Sequence, residues 1–530
     1  MPAFAKAAAA ADPSGFALVD PSGEMTWTQV DLALNRCAQA LLATDLGPHR
    51  RIAVFAENAA EVALAHLGGL LAGCSSVPVN FHLNAAEAAY ILSDSETEVV
   101  FVGPSTAERG LSAARTAGVN RIVGWGCDGL DDALRRSITP WEEFLAGADD
   151  ADPPDEITPL PNLLYTSGTT GQPKGTELPP TMFAGGANMS EHLAALATGR
   201  FAGSGTHLVV GPMYHTGPLS GMRLLATGTP SVILGRFDAE ATLVAIDRYR
   251  TGSAVMVPTH FVRLLALPPD VRDRYDVGSM QTVAHTGASC PIDVKRAMIS
   301  WWGPVFTEAY GATEVGTVCS ITSEEWLAHP GSVGRPIGPF SALVLDEAGN
   351  ELGAGTEGRL YFRDATGRGM IYPNDPTKTA ESNPEPGLFT LGEIGRIDDD
   401  GYVYITDRFS DMVVSGGANI YPAEAEQLLA EHPMVADVAC IGVPHPEMGE
   451  ELRALIVPEQ TTHASGSDPD TGELAGELAG DLAGWLRERL TPMKCPRSYV
   501  LVGDLLRNTM GKINKRRLRE AYLAGELPSP

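Results

Sequence analysis

The chain has 530 residues, which at about 150 residues per domain predicts two to four domains and excludes a small peptide scaffold. Its 66 acidic and 38 basic side chains give a formal charge of −28, which opposes nonspecific binding to nucleic acid or anionic lipid. Hydrophobic residues make up 44% and charged residues 20%, a balance typical of a folded protein.

The seven cysteines are scattered, and no two lie at the CxxC spacing, which argues against a disulfide framework or a structural zinc site. The alanine-rich N-terminus contains one lysine, Lys6, and no leucine-rich core, so we expect it to begin a helix rather than to act as a signal peptide. No segment has 18 uninterrupted apolar residues, the length that would indicate a membrane span. These features predict a cytoplasmic protein.

Two sets of short β-branched segments are separated by stretches with helical periodicity. The first set occupies residues 51–57, 75–80 and 97–103, and the second occupies residues 207–213, 231–237, 253–258 and 281–287. Alternating strands and helices are typical of parallel sheets whose connections are helical. The sequence therefore predicts an α/β fold with two stacked α/β subdomains.

Residues 333–408 differ in pattern, because closely spaced strands are joined by DEAGN and DDDG turns, which predicts an antiparallel β region. A smaller unit is predicted over residues 409–530. Within it, TGELAGELAGDLAG repeats every four residues, so that Leu474, Leu478 and Leu482 share one helical stripe. Since glycine costs about 1 kcal/mol relative to alanine at each helical position, we expect a marginal, solvent-facing helix here.

The most informative segment is LLYTSGTTGQPKGTE, residues 163–177, in which an apolar strand end leads into hydroxyl residues, glycines and a lysine. Small residues let backbone N–H groups converge on phosphate oxygens, while Lys174 adds positive charge. We interpret residues 166–174, called the phosphate loop below, as a polyphosphate-binding segment. It is not a Walker A loop, because Pro173 stands where GxxxxGK[ST] has its second glycine. A flexible surface turn is the alternative, which is disfavoured by the density of hydroxyls at Thr166, Ser167, Thr169 and Thr170.

YTSGTTGQPKG resembles the signature of the adenylate-forming superfamily, which includes acyl-CoA synthetases, nonribosomal peptide adenylation domains and luciferases. Further blocks resemble the family's in the same order: GPMYHTGP (211–218), TGASCP (286–291), EAYGATE (308–314), LGEIGRIDDDGYVYITDR (391–408), VSGGANIYPAEAE (414–426) and NTMGKINKRRL (508–518). The resemblance, closest to acyl-CoA synthetases, covers nearly the whole chain. It implies a large N-terminal domain, residues 1–408, with two α/β subdomains and a β-barrel-like region. It also implies a small mobile α+β domain, residues 409–530.

The resemblance implies ATP, Mg²⁺ and CoA as cofactors and assigns individual residues. Thr313 offers a hydroxyl to the α-phosphate, and Glu314 suits Mg²⁺, which binds through few carboxylates and through substrate phosphates. Lys512 would hold carboxylate and α-phosphate oxygens, stabilising charge that develops in the transition state. The implied catalytic residues are Lys512, Thr166, Glu314 and His215. The implied nucleotide-binding residues are Thr166, Ser167, Gly168, Thr169, Thr170, Lys174, Gly287, Ala288, Ser289, Glu308, Ala309, Tyr310, Gly311, Thr313, Glu393, Arg408, Gly416, Gly417 and Lys512.

The resemblance places His215 at the wall of the acid-binding pocket. Small residues surround it at 184–188, 216–221 and 286–289, so we hypothesise that the substrate is a bulky aliphatic or polycyclic acid. No acidic side chain is evident as a partner for a substrate amino group, which argues against an amino acid.

Several positions depart from the family's pattern. Glu393 replaces an aspartate that binds the ribose, and Ser410 stands at the hinge position. His82, Met448 and Cys495 replace residues that some relatives use to contact CoA.

We therefore expect an acyl-CoA synthetase that forms acyl-AMP and then the CoA thioester, with no nucleic-acid partner and no membrane span. Two alternatives stay open. One is an adenylating enzyme that passes acyl-AMP to a carrier protein or a separate thiolating partner. The other is a non-enzymatic nucleotide-binding relative, which the presence of Lys174, Glu314 and Lys512 disfavours.

Overall fold

The computed structural model describes residues 3–166, 173–180, 182–346, 348–371, 376–408, 411–415, 418–445, 448–459, 471–490, 492–507 and 513–528. The chain divides into two compact units. Unit 1 comprises Met1–Thr286, Asp293–Ala328 and Arg368–Gly387, and unit 2 comprises Gly287–Ile292, His329–Gly367 and Leu388–Pro530. The domain boundary expected at residue 408 stays a prediction.

Strands and helices alternate in unit 1. The strands are β1 (Phe16–Asp20), β2 (Gly23–Thr26), β3 (Arg51–Phe55), β4 (Ser75–Pro78), β5 (Val99–Val102), β6 (Arg121–Gly124), β7 (Thr139–Pro140), β8 (Leu163–Thr166), β9 (Lys174–Glu177), β10 (His207–Val209), β11 (Ser231–Ile233), β12 (Ser253–Met256), β13 (Thr282–His285), β14 (Phe306–Ala312) and β15 (Gly316–Thr322). The helices are α1 (Ala3–Ala11), α2 (Trp27–Leu42), α3 (Ala60–Leu71), α4 (Ala85–Asp94), α5 (Ala107–Ala117), α6 (Asp132–Arg135), α7 (Trp141–Ala146), α8 (Met189–Ala197), α9 (Thr216–Met222), α10 (Ala239–Tyr249), α11 (Pro258–Leu265), α12 (Pro269–Arg272), α13 (Ile292–Trp302), α14 (Ser323–Ala328) and α15 (Pro376–Ser382).

These elements form two sheets with parallel strands, which confirms the predicted α/β subdomains. The first sheet has the order β4-β3-β5-β6-β7 and is parallel throughout. The second runs β14-β13-β12-β10-β11-β1 with parallel pairings, and β15 and β2 add to its ends in the antiparallel sense.

Helices α2 and α3 supply the core that the two sheets share. Leu34 and Leu67 of these helices belong to one buried cluster with Val54 of the first sheet and Val209 of the second. Helix α2 begins at a capping box, because Thr26 and Gln29 each accept a hydrogen bond from the other's backbone N–H. The predicted N-terminal helix is confirmed as α1.

Unit 2 begins with an antiparallel region, as predicted. Its strands are β16 (Ser332–Pro336), β17 (Phe340–Leu345), β18 (Gly358–Asp364), β19 (Leu388–Phe389), β20 (Glu393–Ile397) and β21 (Val403–Arg408). Their pairing order is β17-β18-β20-β21-β16, and β19 pairs with β18. Because β17 and β16 share no ladder, the described strands form an open sheet rather than a closed barrel.

The C-terminal part of unit 2 is α+β, as expected. Its strands are β22 (Val413–Ser415), β23 (Ala418–Ile420), β24 (Val435–His445), β25 (Gly449–Pro458) and β26 (Ser498–Leu501), and its helices are α16 (Pro422–Ala430), α17 (Thr471–Arg487) and α18 (Lys515–Ala524). The sheet order is β23-β22-β25-β24, with β26 parallel to β25. Within the described residues, no helix combines the length and apolar character needed to cross a membrane.

The helix predicted from the four-residue repeat forms as α17, but the expectation that it faces solvent is wrong. Leu482 and Leu486 are fully buried in one cluster with Leu429, Leu452 and Ile456. Leu478, Leu482 and Leu486 therefore pack onto the sheet and offset the low helical propensity of the glycines. A Cβ atom at Gly480 or Gly484 would meet no other atom within 4 Å, so packing does not require glycine at either position.

We expect Leu482→Ala to lower the free energy of unfolding by about 2–5 kcal/mol, because it leaves a cavity in this buried cluster. Urea unfolding monitored by circular dichroism measures the change. Leu523→Ala, at a leucine that is 54% exposed in α18, is the control and is expected to change stability by less than about 0.5 kcal/mol. Equal effects in the two variants would contradict the packing assigned to α17.

Candidate functional site

The phosphate loop joins two strands that pair directly. Thr166 ends β8 and Lys174 begins β9, and these two residues are antiparallel partners across the hairpin. The structure describes the backbone of both, whereas Ser167, Gly168, Thr169 and Thr170 lie outside the described residues. The pairing brings the two ends of the loop together.

Hydrogen bonds hold the β8–β9 hairpin in unit 1. Tyr165 donates a 2.6 Å hydrogen bond to Asp94 Oδ2, and burial together with this bond raises the pKa of the tyrosine. Ser75 donates to the carbonyl of Pro161 just before β8. The backbone carbonyl of Asn162 accepts from the N–H of Leu178, just after β9. The base of the hairpin is therefore fixed from both sides.

Arg223 is a buried cation at this base that the sequence analysis did not find. It is 4% exposed, donates to Asn162 Oδ1, and has its guanidinium 5.8 Å from the centroid of Phe183. Burial lowers its pKa to about 10. Its only signal in the sequence is a single basic residue within the apolar stretch LSGMRLLA.

His215 lies at the N-cap position of α9. Its ring contacts that of Tyr214, with the centroids 4.2 Å apart and the planes tilted by 45°. The small residues that follow it have a packing function. A Cβ atom at Gly217 would lie 2.8 Å from Val255, and one at Gly221 would overlap the buried His207 ring. These two glycines let α9 approach β10 and β12, so they are not by themselves evidence of a large pocket.

The EAYGATE block forms the end of β14 and the turn after it. The β14–β15 register shifts between Tyr310 and Gly311, a bulge that redirects the strand before the turn containing Thr313 and Glu314. A Cβ atom at Gly311 would overlap the backbone carbonyl of Gly316, so this close approach requires glycine.

Glu314 suits the implied Mg²⁺. It is 8% exposed, and its carboxylate forms no ion pair or side-chain hydrogen bond within the described part of the chain. Its backbone carbonyl accepts a 3.1 Å hydrogen bond from Arg368, which fixes the turn. No cluster of three or more His, Cys, Asp or Glu able to hold a metal occurs among the described residues. A single available carboxylate fits an ion that takes its remaining ligands from water and substrate phosphates.

Glu308 has its carboxylate in a buried cluster. Lys295 of α13 donates to Glu308 Oε2 at 2.5 Å, and His285 Nε2 lies 3.6 Å from the same oxygen. Burial raises the pKa of Glu308, an effect that Lys295 opposes, and burial holds the pKa of His285 well below its ordinary value. The sequence analysis found neither Lys295 nor His285, although Lys295 shares a helical face with the buried Met298 and Trp302.

Unit 2 brings two of the predicted nucleotide-binding residues together. Glu393 begins β20 and is the antiparallel partner of Arg408, whose backbone the structure describes at the end of β21. Ser410, Gly416, Gly417 and the predicted catalytic lysine, Lys512, lie outside the described residues.

The structure also describes the three positions that differ from CoA-binding relatives. His82 is exposed, with its ring 4.3 Å from that of Phe81. Met448 and Cys495 line one groove of about 730 Å³ within unit 2, together with Arg487 and Arg497. Met448 and Cys495 therefore lie in the same groove as two arginine side chains.

Comparison with known proteins identifies the family. A family model described as AMP-binding enzyme matches residues 5–370, and one described as AMP-binding enzyme C-terminal domain matches residues 424–512. A 3-[(3aS,4S,7aS)-7a-methyl-1,5-dioxo-octahydro-1H-inden-4-yl]propanoyl:CoA ligase of Mycobacterium tuberculosis is 31% identical over 96% of each chain. A fatty acid–[acyl-carrier-protein] ligase, ScoC of Streptomyces coeruleorubidus, is 30% identical over 96% of this chain and 94% of its own.

A solved structure supports the same fold. ATP-bound MatB from Rhodopseudomonas palustris superposes with a TM-score of 0.75 and 27% identity, over 99% of this chain and 100% of that one. The family models, the phosphate-loop hairpin and the Glu314 turn lead to one conclusion: the chain belongs to the AMP-binding enzyme family of the adenylate-forming superfamily and is most similar to its acyl-CoA synthetases.

Proposed function

We propose that this acyl-CoA synthetase activates a bulky aliphatic or polycyclic carboxylic acid in two steps. The acid's carboxylate attacks the α-phosphorus of ATP, giving acyl-AMP and pyrophosphate. The CoA thiolate then attacks the acyl carbon, the bond to the AMP oxygen breaks, and AMP leaves. The observation that carries this proposal is the β8–β9 hairpin, in which Thr166 and Lys174 pair at the two ends of the phosphate loop.

Each group of residues has a part in the first step. The phosphate loop would hold the β- and γ-phosphates, Tyr310 the adenine, and Glu393 with Arg408 the ribose. Glu314 would hold Mg²⁺, which neutralises charge on the phosphate oxygens when it is bound. Thr313 and Lys512 would contact the α-phosphate, where negative charge accumulates during attack.

The second step requires a domain rearrangement in this proposal. Residues 409–530 would form a mobile C-terminal domain that moves Lys512 away once acyl-AMP has formed, with Ser410 as the pivot. The two matched family regions, 5–370 and 424–512, bracket the proposed boundary and are compatible with it. A hinge needs a residue that tolerates a large change in φ and ψ, which serine can provide.

Lys512→Ala is expected to lower acid-dependent pyrophosphate release by about 10²-fold or more, because one positioned charge is lost from the transition state. Thioester formation from synthetic acyl-AMP and CoA should stay within a few fold of wild type. The two half-reactions are assayed separately with the same protein preparation. An equal loss in both would contradict the role given to Lys512.

The relatives support a large acid: one is named for a bicyclic propanoate and another for fatty acids. Burying one methylene contributes about 0.8 kcal/mol, so four buried methylenes would favour a larger acid by about 10²-fold in kcat/KM. We therefore expect a panel of acids with ATP and Mg²⁺ to give at least that preference for polycyclic or long-chain acids over acetate. Preference for acetate would contradict the proposal.

A second candidate is an adenylating enzyme that transfers the acyl group to a carrier protein. It is favoured by the similarity to ScoC and by the replacements at Met448 and Cys495. We expect thioester formation with CoA in the same acid panel. Pyrophosphate release without CoA thioester, but with acylation of a phosphopantetheinylated carrier protein, would favour the second candidate.

We also propose that the enzyme works in the cytoplasm. All seven cysteines are free thiols, which fits a reducing compartment.

A further inference from the structure

We propose that Lys295 is a positioning residue for nucleotide binding: by holding Glu308, it fixes the end of β14 and the turn that carries Tyr310, Thr313 and Glu314. The inference rests on the proposed role of this turn in binding ATP and Mg²⁺. It assigns Lys295 an effect on the site without contact to the nucleotide.

The contacts of Lys295 and Glu308 together join four elements of unit 1. Its side chain is 1% exposed, its Nζ lies 2.5 Å from Glu308 Oε2 on β14, and the Nζ lies 4.8 Å from the centroid of Trp326 on α14. His285, at the end of β13, faces the same Glu308 oxygen at 3.6 Å. Helix α13 is thereby tied to two neighbouring strands where they approach the site.

The position of this cluster along the strands matters for function. His285 and Glu308 are register partners in the parallel β13–β14 pair. Ligands of open α/β sheets bind beyond the carboxyl ends of the strands, and β14 continues from Glu308 directly into Tyr310. Ser320 of β15 donates to the backbone carbonyl of Glu308 at 3.0 Å. Glu308 is therefore held by its side chain from α13 and by its backbone from β15.

The energetics of buried ion pairs predict different effects for a positioning role and for a purely structural role. Desolvation offsets much of the attraction in a buried pair, and replacing both partners with apolar residues often leaves stability unchanged. A charge-assisted hydrogen bond, however, fixes the distance and direction between two elements in a way that apolar packing does not. Losing the pair should therefore affect the geometry of the turn more than the stability of the fold.

The central test variant is Lys295→Met combined with Glu308→Leu, since it leaves no unpaired buried charge. Binding of ATP with Mg²⁺ is measured by isothermal titration calorimetry without acid or CoA, so the result is independent of the assays that test the proposed reaction. We expect a thermal midpoint within a few degrees of wild type and ATP binding at least tenfold weaker. In pyrophosphate release, KM for ATP should rise by more than KM for the acid.

Two further variants complete the test. Lys295→Met alone leaves the carboxyl group of Glu308 in place and should also bind ATP at least tenfold more weakly than wild type. Arg250→Met removes an exposed ion pair with Asp276 and is the matched control, with wild-type binding expected. Wild-type ATP affinity in the double variant would overturn the proposal. Wild-type affinity in folded Lys295→Met would also overturn it, because Glu308 would then act on the nucleotide without Lys295.

Discussion

The binding of three anions by a chain with a formal charge of −28 is the constraint that this site has to meet. ATP, CoA and a carboxylate all approach a surface that repels them, so affinity has to come from donors fixed at short range. In the proposed function, the β8–β9 hairpin and the turn after β14 would provide such donors or hold a cation. Both are fixed by contacts within unit 1: the hairpin by Tyr165, Asn162 and Arg223, and the turn by Gly311 and Arg368.

Buried cations contribute to this arrangement without reaching the surface. Arg223 lies beneath the phosphate-loop hairpin and Lys295 lies behind β14, and both are almost fully buried. Placing charged groups in the interior costs free energy unless they are paired. Asn162, the acceptor for Arg223, lies four residues before the phosphate loop, and Glu308, the acceptor for Lys295, lies within the segment proposed to bind nucleotide. The interior polar contacts thus connect folding of the sheets to the geometry of the site.

Local pattern was sufficient to predict much of the fold. Strands β3, β5, β12 and β13 lie within the β-branched segments that predicted them, because a buried parallel strand is apolar on both faces. The site motifs could also be located, since phosphate binding requires glycines and hydroxyls at short spacing. Local pattern could not show that Lys295 meets Glu308 or that Arg223 meets Asn162, because these pairs depend on tertiary contacts between separate elements. The glycines of α17 predict a solvent-facing helix, but Leu482 and Leu486 bury one side of the helix in the core.

Isotope transfer can show whether the acid is activated as acyl-AMP before it reaches a thiol. With an acid labelled by ¹⁸O in both carboxylate oxygens, one labelled oxygen becomes the bridge to phosphorus and stays with AMP when the thiolate attacks the acyl carbon. Mass spectrometry of the products of ATP, Mg²⁺, CoA and the labelled acid is predicted to show one ¹⁸O atom in each AMP released. Unlabelled AMP, or label in pyrophosphate or inorganic phosphate, would contradict the account.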